Sequence, residues 1–252
     1  MKIDFHTHVK LTKSVMFSYS YFLESIQEAR QAGLSATALT EHFNTLRFND
    51  IYETLDQHFA YKQHYYDIDG FKLFPGMEID VKEGGHILFI ACRDTIRELR
   101  QQLNGYEAEG QFIGMEALLD MASSYNVLKI GAHPYRADNP LTGIPHASLQ
   151  QLDALDLNAK DLYKYGIDVM QNKVNALGQT LGIPVVAGSD THHPLQFGSV
   201  WNVMQADCGS IDDLKSCLQA GTYRLEISPC LDTKVKAAET VKRLMKASGG
   251  HP

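Results

Sequence analysis

The chain has 252 residues, of which 44% are hydrophobic and 21% are charged, and its formal net charge at pH 7 is -7. This composition excludes a disordered chain, because enough apolar surface is available to form a sizeable core. The acidic balance argues against a sequence-independent grip on nucleic acid, which requires a basic surface. A single domain is expected, since α/β barrels routinely reach this length.

Cysteine usage and hydropathy indicate the compartment. The four cysteines are scattered without C-x-x-C spacing, and no apolar signal segment opens the chain. A reduced, cytoplasmic protein is the simplest interpretation. No run of about 18 apolar residues occurs, so no membrane span is expected.

Predicted strands and helices alternate along most of the chain. The strands are predicted at 2–5, 34–39, 71–74 with a continuation at 77–79, 87–91, 127–132, 152–157, 183–187 and 223–227. The helices are predicted at 20–32, 50–60, 94–103, 115–125, 161–181 and 232–245. This alternation predicts an α/β fold with parallel, right-handed β/α units. Residues 1–252 are expected to form one barrel domain, with 198–252 as a C-terminal extension packed on it.

Two histidines one residue apart, His6 and His8, follow the first predicted strand. Side chains in a strand repeat with period two, so both imidazoles can reach one metal ion. Further histidines and carboxylates recur at the ends of later predicted strands: His42, Glu78, His86, His133, Asp190 and His192. In a β/α barrel the site lies at the C-terminal ends of the strands, which brings such residues together.

Glu78 and His86 have unusual positions in their strands. Glu78 follows Pro75-Gly76, a pair that marks a bend or a close backbone approach and aims the next side chain into a site. His86 begins its strand instead of ending it. That strand is therefore expected to run antiparallel to the others, so that its start lies beside their ends.

The donor types indicate which metals fit. Imidazole and carboxylate ligands without a nearby cysteine suit zinc, manganese or iron(II). Six or more ligands exceed the needs of one ion, so more than one divalent transition-metal ion is expected. A carboxylate such as Glu78 can bridge two ions, and a water held between them becomes a nucleophile near neutral pH.

In order, these motifs resemble the PHP (polymerase and histidinol phosphatase) family. They are Asp4-Phe5-His6-Thr7-His8, Thr40-Glu41-His42, Gly76-Met77-Glu78, His86, Ala132-His133-Pro134 and Ser189-Asp190-Thr191-His192. The resemblance implies a distorted seven-stranded, TIM-like β/α barrel whose two- or three-metal centre hydrolyses phosphoesters. It implies three metal sites: His6, His8, Glu78 and Asp190 at one, Glu78, His86 and His133 at the second, and His42 and His192 at the third.

The chain departs from the family pattern at two places. The family usually adds an Asp or His shortly after the second histidine, where this chain has Lys13 and Ser14. A protonated lysine is not a ligand, so Lys13 is expected to place a fixed positive charge where a cation would lie. The usual Asp before the third histidine is changed to Glu41.

Three residues are candidates for catalysis. Arg136 follows His133-Pro134 and is expected to form bidentate hydrogen bonds to a phosphate. Lys13 is expected to help stabilise the charge that develops on it. His192 is a hypothetical acid for the leaving alcohol.

The predicted function is a metal-dependent phosphoesterase that hydrolyses a small phosphomonoester, histidinol-phosphate-like or nucleotide-like, through a hydroxide between the metals. A small phosphorylated substrate is the expected partner, with no membrane, and long nucleic acid is the poorest candidate because of the acidic pI. Two alternatives stay open: an amidohydrolase-type metal hydrolase and a non-catalytic metal-binding barrel. The substrate, the metal identity and a homo-oligomeric state also stay open.

Overall fold

In the computed structural model, which describes residues 1–247, eleven strands and nine α-helices follow one another along the chain. The strands are β1 Lys2–Thr7, β2 Ala36–Leu39, β3 Ala60–Lys62, β4 Tyr65–Ile68, β5 Phe71–Asp80, β6 His86–Ile90, β7 Leu128–Ala132, β8 Ala154–Asn158, β9 Val185–Gly188, β10 Val200–Met204 and β11 Tyr223–Ile227. The helices are α1 Tyr19–Gln31, α2 Phe48–His58, α3 Arg93–Gln102, α4 Met115–Ala122, α5 His146–Leu149, α6 Ala159–Tyr165, α7 Ile167–Leu181, α8 Ile211–Gln219 and α9 Leu231–Ala247.

Seven of the strands form a nearly closed barrel in the order β1, β2, β5, β6, β7, β8 and β9. Backbone hydrogen bonds link its two ends: Asp190 N donates to His6 O at 2.7 Å, and His8 N donates to Thr191 O at 2.9 Å. The distorted seven-stranded β/α barrel expected from the sequence is therefore confirmed. Closure also places the residues that follow β9 directly beside the end of β1.

Strand β6 runs against its neighbours. It pairs antiparallel with both β5 and β7, whereas β1 with β2, β2 with β5, β7 with β8 and β8 with β9 are parallel pairs. His86, the first residue of β6, lies opposite Asp80 and Ala132 at the ends of its neighbours. The predicted reversal of this strand is confirmed, and it brings His86 to the same edge as the other candidate ligands.

Strand β5 continues through Pro75-Gly76 without interruption, so the two predicted pieces are one strand. A Cβ atom at Gly76 would lie 2.6 Å from the backbone oxygen of Phe89 on β6. Glycine is therefore required by the close approach of the two backbones. The strand carries Glu78 and Asp80 on one face, since side chains in a strand alternate.

The barrel interior is layered. Phe74, Leu88 and Ala154 belong to one buried apolar cluster. By the period of two they share strand faces with Glu78, His86 and Asp156 respectively. Apolar side chains thus fill the lower part of the barrel, and polar side chains occupy its C-terminal end.

One predicted helix is corrected by the fold, and two features of the sheet were not predicted. The single helix expected at 161–181 is two helices, α6 and α7, which meet at Gly166 with φ 93°. A positive φ interrupts a right-handed helix, and glycine adopts it without a Cβ clash. Residues 60–68 form the hairpin β3–β4, and β10 pairs antiparallel with β1; neither was predicted.

The segment 198–252, expected as an extension, contributes β10 and β11 to the sheet and helix α9 to its outside. Its residues 248–252 lie outside the described residues. Within residues 1–247, every helix falls short of the length and apolarity needed to cross a bilayer.

Candidate metal centre

The predicted ligands converge at the C-terminal end of the barrel. They form three groups, in each of which one donor atom per residue lies within 4.8 Å of the others. The groups are His6, His8 and Asp190; Glu78, His86 and His133; and His8, His42 and His192. All eight residues predicted as metal ligands therefore meet in one place.

The carboxylate of Glu78 lies at the middle of this cluster. Its Oε1 is 2.6 Å from His86 Nδ1 and 3.3 Å from His133 Nε2. Its Oε2 is 2.8 Å from His42 Nδ1 and 3.5 Å from His8 Nε2. Glu78 thus reaches donors of all three groups, which is the position required of a bridging ligand.

Unpaired donor atoms test whether metal ions fit. Within residues 1–247, Glu78 Oε2, His42 Nδ1, His8 Nδ1 and His133 Nδ1 are buried and have no hydrogen-bond partner. Two of them, Glu78 Oε2 and His42 Nδ1, lie only 2.8 Å apart. Buried polar atoms without a partner are costly. Imidazole and carboxylate donors clustered in this way fit divalent ions in number, type and position.

The backbone is strained at two candidate ligands. His133 has φ 31° and Asp190 has φ 55°, in the left-handed region that non-glycine residues rarely adopt. Such conformations cost free energy and persist where the surrounding structure enforces them, commonly at functional sites. Here the strain turns both side chains towards the cluster just after β7 and β9.

Asp156 orients His6, and sequence reasoning missed it. Asp156 Oδ2 accepts a hydrogen bond from His6 Nδ1 at 2.9 Å, and Asn158 Nδ2 donates to the same oxygen at 2.9 Å. This bond leaves Nε2 of His6 facing Glu78 and Asp190. Carboxylate partners of this kind fix the tautomer and ring orientation of metal-binding histidines. The signal available in the sequence was the charge of Asp156 within the predicted strand 152–157.

Asp80 orients His86 in the same way, and sequence reasoning did not predict this role either. Its Oδ1 lies 2.9 Å from His86 Nε2, and its Oδ2 is 3.0 Å from Lys13 Nζ. Lys13, expected to supply a free positive charge, is therefore paired with a carboxylate. Burial opposes ionisation of Asp80, but the hydrogen bond from His86 and the nearby charges lower its pKa to about 2.

Arg136 and Lys160 surround Asp190. Arg136 Nη1 donates to Asp190 Oδ2 at 2.7 Å, Nε donates to Asp161 at 3.1 Å and Nη2 donates to Asn158 at 2.8 Å. Lys160 Nζ lies 3.1 Å from the other oxygen of Asp190. Arg136 was expected to bind phosphate, but its donors are directed to protein oxygens. Lys160, at the start of α6, was not predicted.

The histidines have very different proton affinities. Although burial works against the charged form, Glu78 and Asp190 raise the pKa of His6 to about 10. Burial is likewise outweighed at His86, where Glu78 and Asp80 raise the pKa to about 9. At His133, burial and the charge of Arg136 lower the pKa to about 3. The negative field that holds protons on His6 and His86 equally attracts divalent cations.

His192 lies against His8, with ring centroids 4.0 Å apart. Burial, and then the charges of His8 and Lys160, hold the pKa of His192 well below its usual value. A neutral imidazole is a ligand and not a proton donor to a leaving group. The surroundings of His192 therefore favour the ligand role over the acid role, both of which were considered from the sequence.

Two cavities of about 420 Å³ lie next to the centre, and Asp138 lines both of them. One is lined by Arg136, Lys160 and Asp161 among others, and the second by Lys13 and Asp80. A larger depression of about 840 Å³, beside α2 and α3, contains none of the candidate ligands. The space next to the centre suits a small molecule.

Comparisons with known proteins agree with this arrangement. A family model described as PHP-associated matches residues 172–223, which include Asp190 and His192 and continue into β11. The structure of PsfC from Pseudomonas syringae PB-5123 has a TM-score of 0.76 and 20% identity, covering 97% of this chain and 98% of that one. No curated protein matches the sequence.

Two further structures have the same fold. The lesion-specific endonuclease PfuEndoQ from Pyrococcus furiosus has a TM-score of 0.64 and 18% identity over 89% of this chain, which spans only 58% of the endonuclease. An amidohydrolase from Chromobacterium violaceum with bound sulfate has a TM-score of 0.52 and 16% identity, covering 88% of this chain and 97% of that one. The resemblance to the PHP family is thus confirmed, and the donor set is that of a metal-dependent hydrolase.

Proposed function

We propose that the chain is a metal-dependent phosphoesterase that hydrolyses a small phosphomonoester, histidinol-phosphate-like or nucleotide-like. The observation that carries this proposal is the position of Glu78 within reach of five histidines, which suits a centre of two or three divalent ions. Zinc, manganese and iron(II) all match these donors. When bound, such ions would neutralise charge on phosphate oxygens and activate water for attack on phosphorus.

In this proposal the predicted ligands fall into three sites. His6, His8 and Asp190 would hold one ion, Glu78, His86 and His133 a second, and His42 and His192 with His8 a third. Glu78 would bridge between them.

The remaining residues position the ligands. Asp156 orients His6, Asp80 orients His86, and Arg136 holds Asp190 in place. Arg136 and Lys13 therefore act on the phosphate through the carboxylates that they bind, and they raise the positive potential around it. His192 serves as a ligand.

The size and charge of the site favour a small substrate. Each adjacent cavity is about 420 Å³, and the chain is acidic overall, with a net charge of -7. A long nucleic acid needs an extended basic surface. The endonuclease of similar fold is much longer than this chain, so its activity on DNA is the competing substrate class and not the first choice.

Metal content and activity should be measured on the same sample of full-length protein purified without chelator. We expect two or three ions per chain by elemental analysis. Hydrolysis of p-nitrophenyl phosphate and of a panel of small phosphomonoesters should be lost on chelation and restored by added metal.

Parallel panels of amides, lactones and duplex DNA with an abasic lesion separate the alternatives. Turnover of amides or lactones alone would indicate an amidohydrolase-type enzyme, and turnover of DNA alone would indicate an endonuclease. Full metal occupancy without turnover on any panel would indicate a non-catalytic barrel. Each of these results would overturn the small-phosphomonoester proposal.

A further inference from the structure

Helix α9 carries Lys242 on the face that packs against the rest of the fold. Its buried residues are Leu231, Val235 and Ala238. Continuing the same spacing of three and four residues leads to Lys242, which is partly buried. An apolar residue is normal at such a position, because this face of the helix is removed from water. A lysine there requires an explanation.

The surroundings of this helix are the residues of the candidate centre. Helix α9 contacts α6, whose second residue is Lys160, and the short turn Pro194–Gln196 that follows His192. Lys242 lies within electrostatic range of Lys160, Asp190 and Glu41. The helix therefore places a positive charge near Lys160 and Asp190, at the same end of the barrel as the candidate centre.

Lys242 has no protein partner for its charge. Within the described part of the chain, its ammonium forms no hydrogen bond or ion pair, in contrast to Lys234 on the same helix, whose Nζ donates to Phe197 O at 2.9 Å. Burial, and then the charge of Lys160, lower the pKa of Lys242 to about 7. A partly buried ammonium beside another cation is unfavourable unless an anion joins them.

Lys160 indicates where that anion would lie. Its Nζ is 3.1 Å from Asp190 Oδ1 and 3.3 Å from His192 Nδ1, so any anion bound to it also touches the candidate ligands. Arg136, the other cation at this edge, already directs its donors to protein oxygens. Lys160 pairs with Asp190 through one carboxylate oxygen, and Lys242, which has no such partner, is the second cation near it, so a phosphate that contacts both amines would lie beside the candidate ligands.

We propose that Lys242 and Lys160 together bind the phosphate group of the substrate, so that the C-terminal helix completes the active site. This inference rests on the proposed function, since it names the residues that hold the reacting group. It also assigns a role to α9, which lies beyond the motifs that resemble the PHP family.

A footprint of lysine reactivity tests the inference without measuring turnover. The metal-loaded full-length chain is acetylated with an amine-reactive reagent with and without inorganic phosphate, and each lysine is quantified by mass spectrometry. We expect phosphate to slow acetylation of Lys242 and Lys160 several-fold, because a bound anion shields both amines. Lys236, exposed on the same helix, is the internal control and should not change. Equal rates at Lys242 with and without phosphate would overturn the inference.

Kinetics of matched variants give a second test. Lys242→Gln should raise both the KM for p-nitrophenyl phosphate and the inhibition constant of inorganic phosphate by roughly 10- to 100-fold, the effect of losing one charge-assisted hydrogen bond. Lys242→Arg should retain most of the affinity, and Lys236→Gln should match the unaltered protein. Unchanged constants in Lys242→Gln, with hydrolysis intact, would refute the inference and leave the proposed function standing. Phosphate protection of Lys242 in a chain that hydrolyses no phosphoester would support the inference and overturn the proposed function.

Thermal unfolding separates binding from a structural role. Lys242→Met places an apolar side chain on the apolar face of α9, so the melting temperature should stay the same or rise. A lower melting temperature together with unchanged phosphate inhibition would show that Lys242 serves the packing of the helix, contrary to the proposal.

Discussion

Glu78 and Asp190 are two buried carboxylates of the same centre, but they are neutralised differently. Within residues 1–247, the basic side chains paired with Glu78 are all histidines. Asp190 additionally contacts Arg136 and Lys160. An imidazole can give up its proton, whereas a guanidinium keeps its charge in proteins. Divalent ions can therefore replace the protons around Glu78, while Asp190 retains permanent cations next to it.

This difference divides the centre into two sides. The Glu78 side is suited to hold metal ions, because its charge is balanced by displaceable protons. The Asp190 side is already compensated by the protein, and its excess of positive charge faces the place proposed for the phosphate. Substitutions on the two sides should therefore affect different properties.

The largest effect is expected from Glu78→Gln, which removes the charge shared by all three groups of ligands. Metal content should fall to one ion per chain or fewer. Activity should fall by more than roughly 100-fold, because loss of a residue that only hydrogen-bonds a metal ligand already costs up to about that factor. Elemental analysis and phosphatase assays check this, with Glu53→Gln, an exposed glutamate, as the control. Retention of full metal content would exclude Glu78 as the bridging ligand.

Arg136→Met is expected to act mainly on stability. It leaves the buried carboxylates of Asp190 and Asp161 without their partner, and breaking a buried ion pair costs about 3–5 kcal/mol. Urea unfolding should show this loss in the metal-free chain and a smaller loss with added metal, which restores a countercharge to Asp190. Arg224→Met removes an exposed arginine from its pair with Glu226 and should cost much less. Equal losses with and without metal would indicate that Arg136 acts through Asp161 alone.

The sequence predicted the donors because they follow rules of local geometry. His6 and His8 were found from the period of two, and Asp190 and His133 from the rule that sites lie at the ends of parallel strands. The position of His86 at the start of its strand predicted that this strand is reversed. In each case a short segment determines the direction of the side chain.

The residues that support the donors could not be placed in this way. Asp156, Lys160 and Lys242 act through contacts between elements that are distant in sequence, and those contacts depend on how β8, α6 and α9 pack. Two of them are visible in the sequence pattern, because Asp156 interrupts an apolar strand and Lys242 occupies an apolar helix face. A charge at a position that the pattern assigns to the core is thus a usable signal for a residue near a site.

The proton affinities of the Glu78 side predict opposite effects of pH with and without metal. The pKa of His86 is raised from 6.5 to about 9 in the metal-free chain, so the folded state binds this proton more tightly than the unfolded state. The resulting stabilisation, on the order of 3 kcal/mol, is complete below pH 6.5 and is lost as the pH rises through 9. Metal affinity should rise over the same interval, because the ion must displace this proton.

Urea unfolding at pH 6.5 and at pH 9, with chelator and with metal, measures both trends. The free energy of unfolding should fall with pH only in the metal-free chain, and His86→Gln should flatten that dependence. A metal-free chain whose stability is the same at both pH values would contradict the charged state assigned to His86.

The smallest effect is expected from Lys13→Met, although Lys13 is the permanent cation of the Glu78 side. Its side chain is 38% exposed and pairs with Asp80, so screening by water limits the loss of stability to roughly 1 kcal/mol or less. The pKa of Asp80 should stay low, since the hydrogen bond from His86 lowers it more than the charge of Lys13 does. The KM for p-nitrophenyl phosphate should change far less than in Lys242→Gln. A rise in KM equal to or larger than that of Lys242→Gln would indicate that Lys13 contacts the substrate. It would mean that the phosphate approaches the centre from the Glu78 side.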